Sequence, residues 1–203
     1  MQKDLEYLYS SRKYVLAAVA VFTVSFIAGI LISAKYPEAS EKVLEMMKVA
    51  YGGITVLDPF GMMIAIFKNN LQSTFIALLL GLGFGIFPFA VAMLNGLVLG
   101  ILVESFIKTK GAFFVLAAIL PHGILELPIV LISIGIGFRL GHAVYLSFIR
   151  LKTGHELLHE LEQLWYELKQ GIIFYIKIVV PLLLLAAVIE SYITPLFISG
   201  FLK

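Results

Sequence analysis

Cysteine is absent from the 203 residues, which excludes disulfides, thiol nucleophiles and cysteine-bound zinc or iron–sulfur sites. Charge is scarce. Asp, Glu, Lys and Arg make up 14% of the chain and leave a net charge of +2, with no basic run dense enough for nucleic acid. No apolar region ends in a small-residue cleavage site, so the first residues read as an interfacial segment rather than a cleavable signal. No internal repeat is visible either, which leaves an inverted-repeat transporter without support. What the chain has in excess is apolar surface, with 61% hydrophobic residues and a mean hydropathy of +1.01. That excludes an ordinary soluble domain.

A bilayer crossing needs about 20 mainly apolar residues, and the pattern predicts an all-α polytopic membrane protein built as one domain. The crossings are expected near residues 14–34, 69–86, 88–107, 112–138 and 172–194, with polar segments at 35–68 and 139–171. Tyr7, Tyr9, Tyr14 and Tyr36 suit the two interfaces. Pro37 opens a short amphipathic helix, and Gly52–Gly53 are expected to end it. Asp58 followed by Pro59 is a helix-start signal, since the carboxylate caps and the proline fits the first turn. A short surface helix over 60–67 is expected there. The apolar stretch from Leu71 to Val103 exceeds one span and must fold back, with the turn expected at Gly83-Phe84-Gly85-Ile86-Phe87-Pro88.

Three groups of polar residues fall within or beside these crossings: Asn69–Asn70, Asn95–Gly96, and the block Pro121, His122, Gly123 and Glu126. Ionisable groups at membrane depth cost several kcal/mol unless protein or water satisfies them, so they mark a candidate functional cluster. Pro121 and Gly123 predict a kink or break in the fourth crossing. Beyond them His122 and Glu126 stand one helical turn apart. The bland alternative is a buried hydrogen bond that locks packing. The glycines point first to close helix packing.

His155-Glu156-Leu157-Leu158-His159 matches H-E-x-x-H, which on a helix aligns two imidazoles for zinc beside a general base. The third ligand is missing at any convincing spacing; Glu162, one turn on, is the nearest candidate. The same stretch also reads as an amphipathic helix over 155–169, with Leu157, Leu158, Leu161, Leu164, Trp165 and Leu168 as its stripe. Its acidic polar face favours packing on this protein or a partner over docking to anionic lipid. Zinc proteolysis is therefore the weakest alternative, and no cofactor is implied.

Phe67-Lys68-Asn69-Asn70, Asn95-Gly96 and Pro121-His122-Gly123-Ile124-Leu125-Glu126-Leu127 together resemble the stage II sporulation protein M family of integral membrane proteins, through most of residues 10–195. The resemblance implies a five-crossing membrane component with no established reaction. The family's namesake acts as a scaffold for cell-wall-degrading enzymes during engulfment in spore formers, while other members occur where no spores form.

The expected function is a non-enzymatic, self-associating scaffold of the plasma membrane, a dimer by preference. It would position membrane or envelope proteins through 35–68 outside or 155–169 inside. The alternative is a transporter or channel subunit using His122 and Glu126. Arg12, Arg139 and Arg150 favour a cytoplasmic amino terminus and an external carboxyl terminus under the positive-inside rule; the lysines do not help.

Overall fold

The computed structural model describes residues 2–51 and 57–196. The described residues form the helices α1 (Gln2–Lys35), α2 (Pro37–Tyr51), α3 (Pro59–Leu79), α4 (Ile86–Lys110), α5 (Ala112–Lys152), α6 (Leu157–Phe174) and α7 (Val180–Val188). Five helical stretches are long and apolar enough to cross a membrane: Gln2–Lys35, Pro59–Leu82, Ile86–Lys110, Gly123–Lys152 and Leu157–Leu196. The described chain has no strand.

Several boundaries differ from expectation. The first thirteen residues are not a separate interfacial piece, because α1 runs 34 residues without interruption. The surface helix expected over 60–67 is the first half of a membrane-length helix. Asp58 Oδ1 accepts from the Gly61 amide at 3.2 Å and Pro59 sits in the first turn, so α3 starts there and carries on through Lys68. The α2 stop expected at Gly52–Gly53 lies outside the described residues.

The fourth crossing is not broken at Pro121–Gly123; α5 stays helical for 41 residues, about 62 Å, and absorbs 139–152 as well. The turn into α4 is where the glycines and proline placed it. A 3₁₀ turn over Leu80–Leu82 leads to Phe84 (φ 56°) and Gly85 (φ 76°), and α4 starts at Ile86.

Between α6 and α7, and again after α7, the helix widens into π turns at Tyr175–Val179 and Ile189–Ile193. Each contains the carbonyl four residues before a proline, Lys177 before Pro181 and Ser191 before Pro195. A proline offers no amide to that carbonyl and crowds it, so a wider turn relieves the conflict while the helix continues.

α1 and α4 run side by side in the same direction, and the buried residues of α1 (Ser11, Ala18, Ser25, Gly29 and Ser33) are all small. A β-carbon at Gly29, Gly96 or Gly100 would fall inside contact distance of the Leu97, Phe22 or Phe26 carbonyl oxygens respectively, so the two backbones touch. α5 runs antiparallel to α1, and its Gly135 lies against Val15. The larger core residues Leu78, Ile129, Ile136, Leu140, Phe174, Tyr175, Val179 and Leu183 join α3, α5 and the α6–α7 helix. Within that core the Tyr175 hydroxyl donates to the Leu71 carbonyl at 2.8 Å and lies 2.8 Å from Thr74 Oγ1.

Candidate functional site

Among the described residues, those singled out by sequence divide between buried and outward-facing positions. Asn70 and Glu126 are buried, at 9% and 8% exposure, and Gly123 is half-buried. The side chains of Pro121 and His122 lie outside the described residues. Asn69 and Asn95 face outward. Asn69 lies 3.5 Å from Asn70 Oδ1, and the Asn95 amide donates at 2.8 Å to the Val91 carbonyl of its own helix. Gly96 is buried because α1 rests on it. Its role is packing, as expected of the glycines.

The most elaborate polar constellation is elsewhere, at the end of the bundle that holds the start of α1, the last third of α5 and the start of α6. Arg139 is its centre. Its Nε and Nη2 donate to the two carboxylate oxygens of Glu167 at 2.8 and 3.1 Å, the forked geometry that only guanidinium offers a carboxylate. Nη1 donates to Ser11 Oγ at 2.9 Å and also to Ser10, and the guanidinium carbon lies 4.5 Å from the Tyr7 ring centroid. One side chain thereby ties three helices together.

Beside it opens a cleft of about 570 Å³ bordered by Lys13, His142, Arg150, His159, Glu162 and Gln163. Tyr14 hydroxyl and His142 Nδ1 are 2.8 Å apart across α1 and α5. Arg150 Nη1 donates to Gln163 Oε1 at 2.7 Å, and Gln163 Nε2 lies 2.8 Å from His159 Nε2.

The H-E-x-x-H residues are not aligned as the motif requires. His155 and Glu156 precede α6, with Glu156 extended at φ −72° and ψ 133°, so the two imidazoles do not share a helical face. His155 points back to Glu160, Nδ1 to Oε1 3.5 Å, while His159 engages Gln163. Among the described residues no three His, Asp or Glu side chains are close enough to hold one metal ion, and the His155, His159 and Glu162 set is thereby not assembled.

Glu160 is the buried carboxylate here, 1% exposed and 3.7 Å from Arg150 Nη1, with neither of its oxygens accepting a hydrogen bond among the described residues. Glu160→Ala is expected to cost less than about 1 kcal/mol, because Arg150 is 40% exposed and keeps Gln163 and water as partners. Glu156→Gln should change stability by less than about 0.5 kcal/mol. Thermal unfolding of the two variants in detergent checks both values.

Sequence periodicity puts the whole leucine stripe of α6 on one face and its acids on the other. The structure splits them. Glu160 and Gly171 are buried, and Leu164, Glu167 and Leu168 are half-buried, whereas Leu158, Leu161 and Trp165 are 72%, 51% and 65% exposed. Two signals point that way: Arg139 is an isolated cation between IGIGF and LGHAVY, and Glu160 and Glu167 share the helical face that leads to Gly171.

A family model described as stage II sporulation protein M matches residues 18–195. The chain is also similar to two proteins of the archaeon Methanocaldococcus jannaschii, each described only as an uncharacterized protein. One is 34% identical over 132 residues, covering 64% of this chain and 70% of that protein. The other is 30% identical over 139 residues, covering 68% of this chain and 58% of that protein. No solved structure matches.

Proposed function

Because the chain belongs to the stage II sporulation protein M family, we propose that this multi-pass membrane protein is a non-enzymatic scaffold whose docking face is the α1–α5–α6 end of the bundle. The observation that carries this reading is the outward stripe Leu158, Leu161 and Trp165 on a helix whose other face is held by Arg139 and Arg150. A rigidly seated helix that leaves leucines and a tryptophan uncovered has the makings of a recognition surface. The partner is a membrane or envelope protein.

Arg12, Arg139 and Arg150 lie toward this same end, which supports a cytoplasmic docking face and amino terminus, with the carboxyl terminus outside. Lys35, Lys108 and Lys110 lie toward the other end and weaken that orientation without reversing it.

A photo-crosslinking residue at position 165 should give a discrete protein adduct in cells, and Leu161→Glu should remove it while leaving the folded content unchanged. Adducts with lipid alone would overturn docking and make α6 a helix lying on the membrane. A second reading rests on Glu126, a carboxylate buried within a membrane-length helix, and makes the protein a transporter or channel subunit. Reproducible ion flux through the wild-type protein in liposomes, lost in Glu126→Gln at equal folded content, would replace the scaffold by that reading.

A further inference from the structure

The start of α3 at Pro59 moves Lys68 from the membrane surface, where the sequence pattern put it, to the middle of a crossing. Lys68 follows Pro59 by nine residues, about 14 Å along the helix axis. Phe60, Ile64, Lys68, Gln72, Ile76 and Leu80 recur every four residues and are all exposed, with Asn69 and Ser73 exposed beside them. This row winds about 200° round the helix from Phe60 to Leu80, so the exposed surface at its centre is polar, with Ile64 and Ile76 one turn beyond Lys68 and Gln72. This crossing is the least apolar of the five membrane-length stretches. Among the described residues, the side chains of Lys68, Gln72 and Ser73 have no hydrogen-bond or ion-pair partner.

Lipid tails cannot satisfy such a patch. Lys68, Gln72 and Ser73 at mid-depth each lose water without replacement, Asn69 keeps only its 3.5 Å contact to Asn70 Oδ1, and Lys68 is too deep for its stem alone to carry the ammonium to the interface. We propose that this face of α3 is the seam against which a second copy of the chain packs, about a two-fold axis along the membrane normal.

Three features favour a second copy over another occupant. Two copies inserted in the same orientation present the same residues at the same depth, so polar centre meets polar centre with Ile64 and Ile76 flanking it, and the two like-charged Lys68 ammoniums stand off the axis with the carboxamides between them. Asn69, Gln72 and Ser73 each carry both a donor and an acceptor, which makes the patch complementary to itself as an isologous contact requires. The Lys68 ammonium, a donor only, finds acceptors in the partner's carboxamide oxygens. A carboxylate-bearing protein of another kind would suit Lys68 but leave the three neutral groups unanswered. The seam is separate from α6, and its existence does not depend on whether α6 docks a partner.

The absence of cysteine makes the test direct. With Gln72→Cys, mild oxidation of native membranes should produce a covalent dimer, and Val24→Cys, at an exposed position of α1 (68%), should not. In detergent, Asn69→Leu combined with Gln72→Leu should weaken self-association about tenfold or more. Helicity and folded yield should stay at the wild-type level, since both positions are exposed in the single chain, while apparent thermal stability should lose its dependence on protein concentration. The proposal is overturned if the thiol introduced at position 72 reacts with a thiol reagent yet forms no dimer, if it forms an adduct only with a different protein, or if the double leucine variant dimerises as tightly as wild type.

Discussion

Gly100→Val should prevent α1 from seating on α4, at a cost of more than about 3 kcal/mol, and most of the variant should fail to accumulate as folded protein. The Gly100 α-hydrogen faces the Phe26 carbonyl, and any β-carbon there meets backbone rather than a side chain that could swing aside. The same crowding recurs at Gly96 and Gly29, so the strain has no neighbouring space to spread into. Even Gly100→Ala should be costly, because its first added carbon is the one that collides. Leu94→Ala, on the exposed face of the same helix (56%), should change stability by no more than about 0.5 kcal/mol. Folded yield by size exclusion, followed by thermal unfolding in a fixed detergent, reads both. Equal behaviour of Gly100→Val and Leu94→Ala would mean that the α1–α4 contact is not a backbone contact.

Arg139→Ala is expected to destabilise by about 3 kcal/mol, since it strands Glu167 and removes the group that reaches α1, α5 and α6 together. Arg139→Lys should recover less than half of the loss. An ammonium cannot engage both Glu167 oxygens and both serines from one position. The side chains are 17% and 26% exposed, so raising the salt concentration should change the effect little. A double-mutant cycle of Arg139→Ala with Glu167→Ala isolates the pair, and a coupling of about 2 kcal/mol is expected. Additive losses would show that the forked contact contributes no coupling of its own.

These two sites differ in legibility. The glycines of α4 can be assigned to packing from sequence, because small residues in an apolar helix have little other use. Their partner, α1, cannot be named that way, since the small residues of α1 are spread among larger ones that face outward. The Arg139 site is legible only in its parts, an isolated cation on α5 and a carboxylate on the inner face of α6, and not as a pairing. Its components lie 28 residues apart for Glu167 and 128 for Ser11, and no local spacing rule joins them.

Composition and period alone determined that the chain is helical and crosses a membrane. Local punctuation determined where helices start and turn: Pro37 opens α2, Asp58–Pro59 opens α3, and the Gly83–Pro88 region reverses the chain. These outcomes depend on backbone chemistry within a few residues, so the sequence states them directly.

Tertiary structure decided what each helix faces. In a membrane both the lipid and the protein interior are apolar, so hydropathy reports that a residue has left water without reporting what it has met. Periodicity therefore groups the leucines of α6 together, and only packing shows Glu160 turned inward and Trp165 outward. Depth was decided in the same way. Lys68 reads as a surface residue while 60–67 counts as a separate helix, and becomes a mid-membrane residue once α3 is continuous from Pro59, because depth is a property of the whole helix and not of the residues beside it.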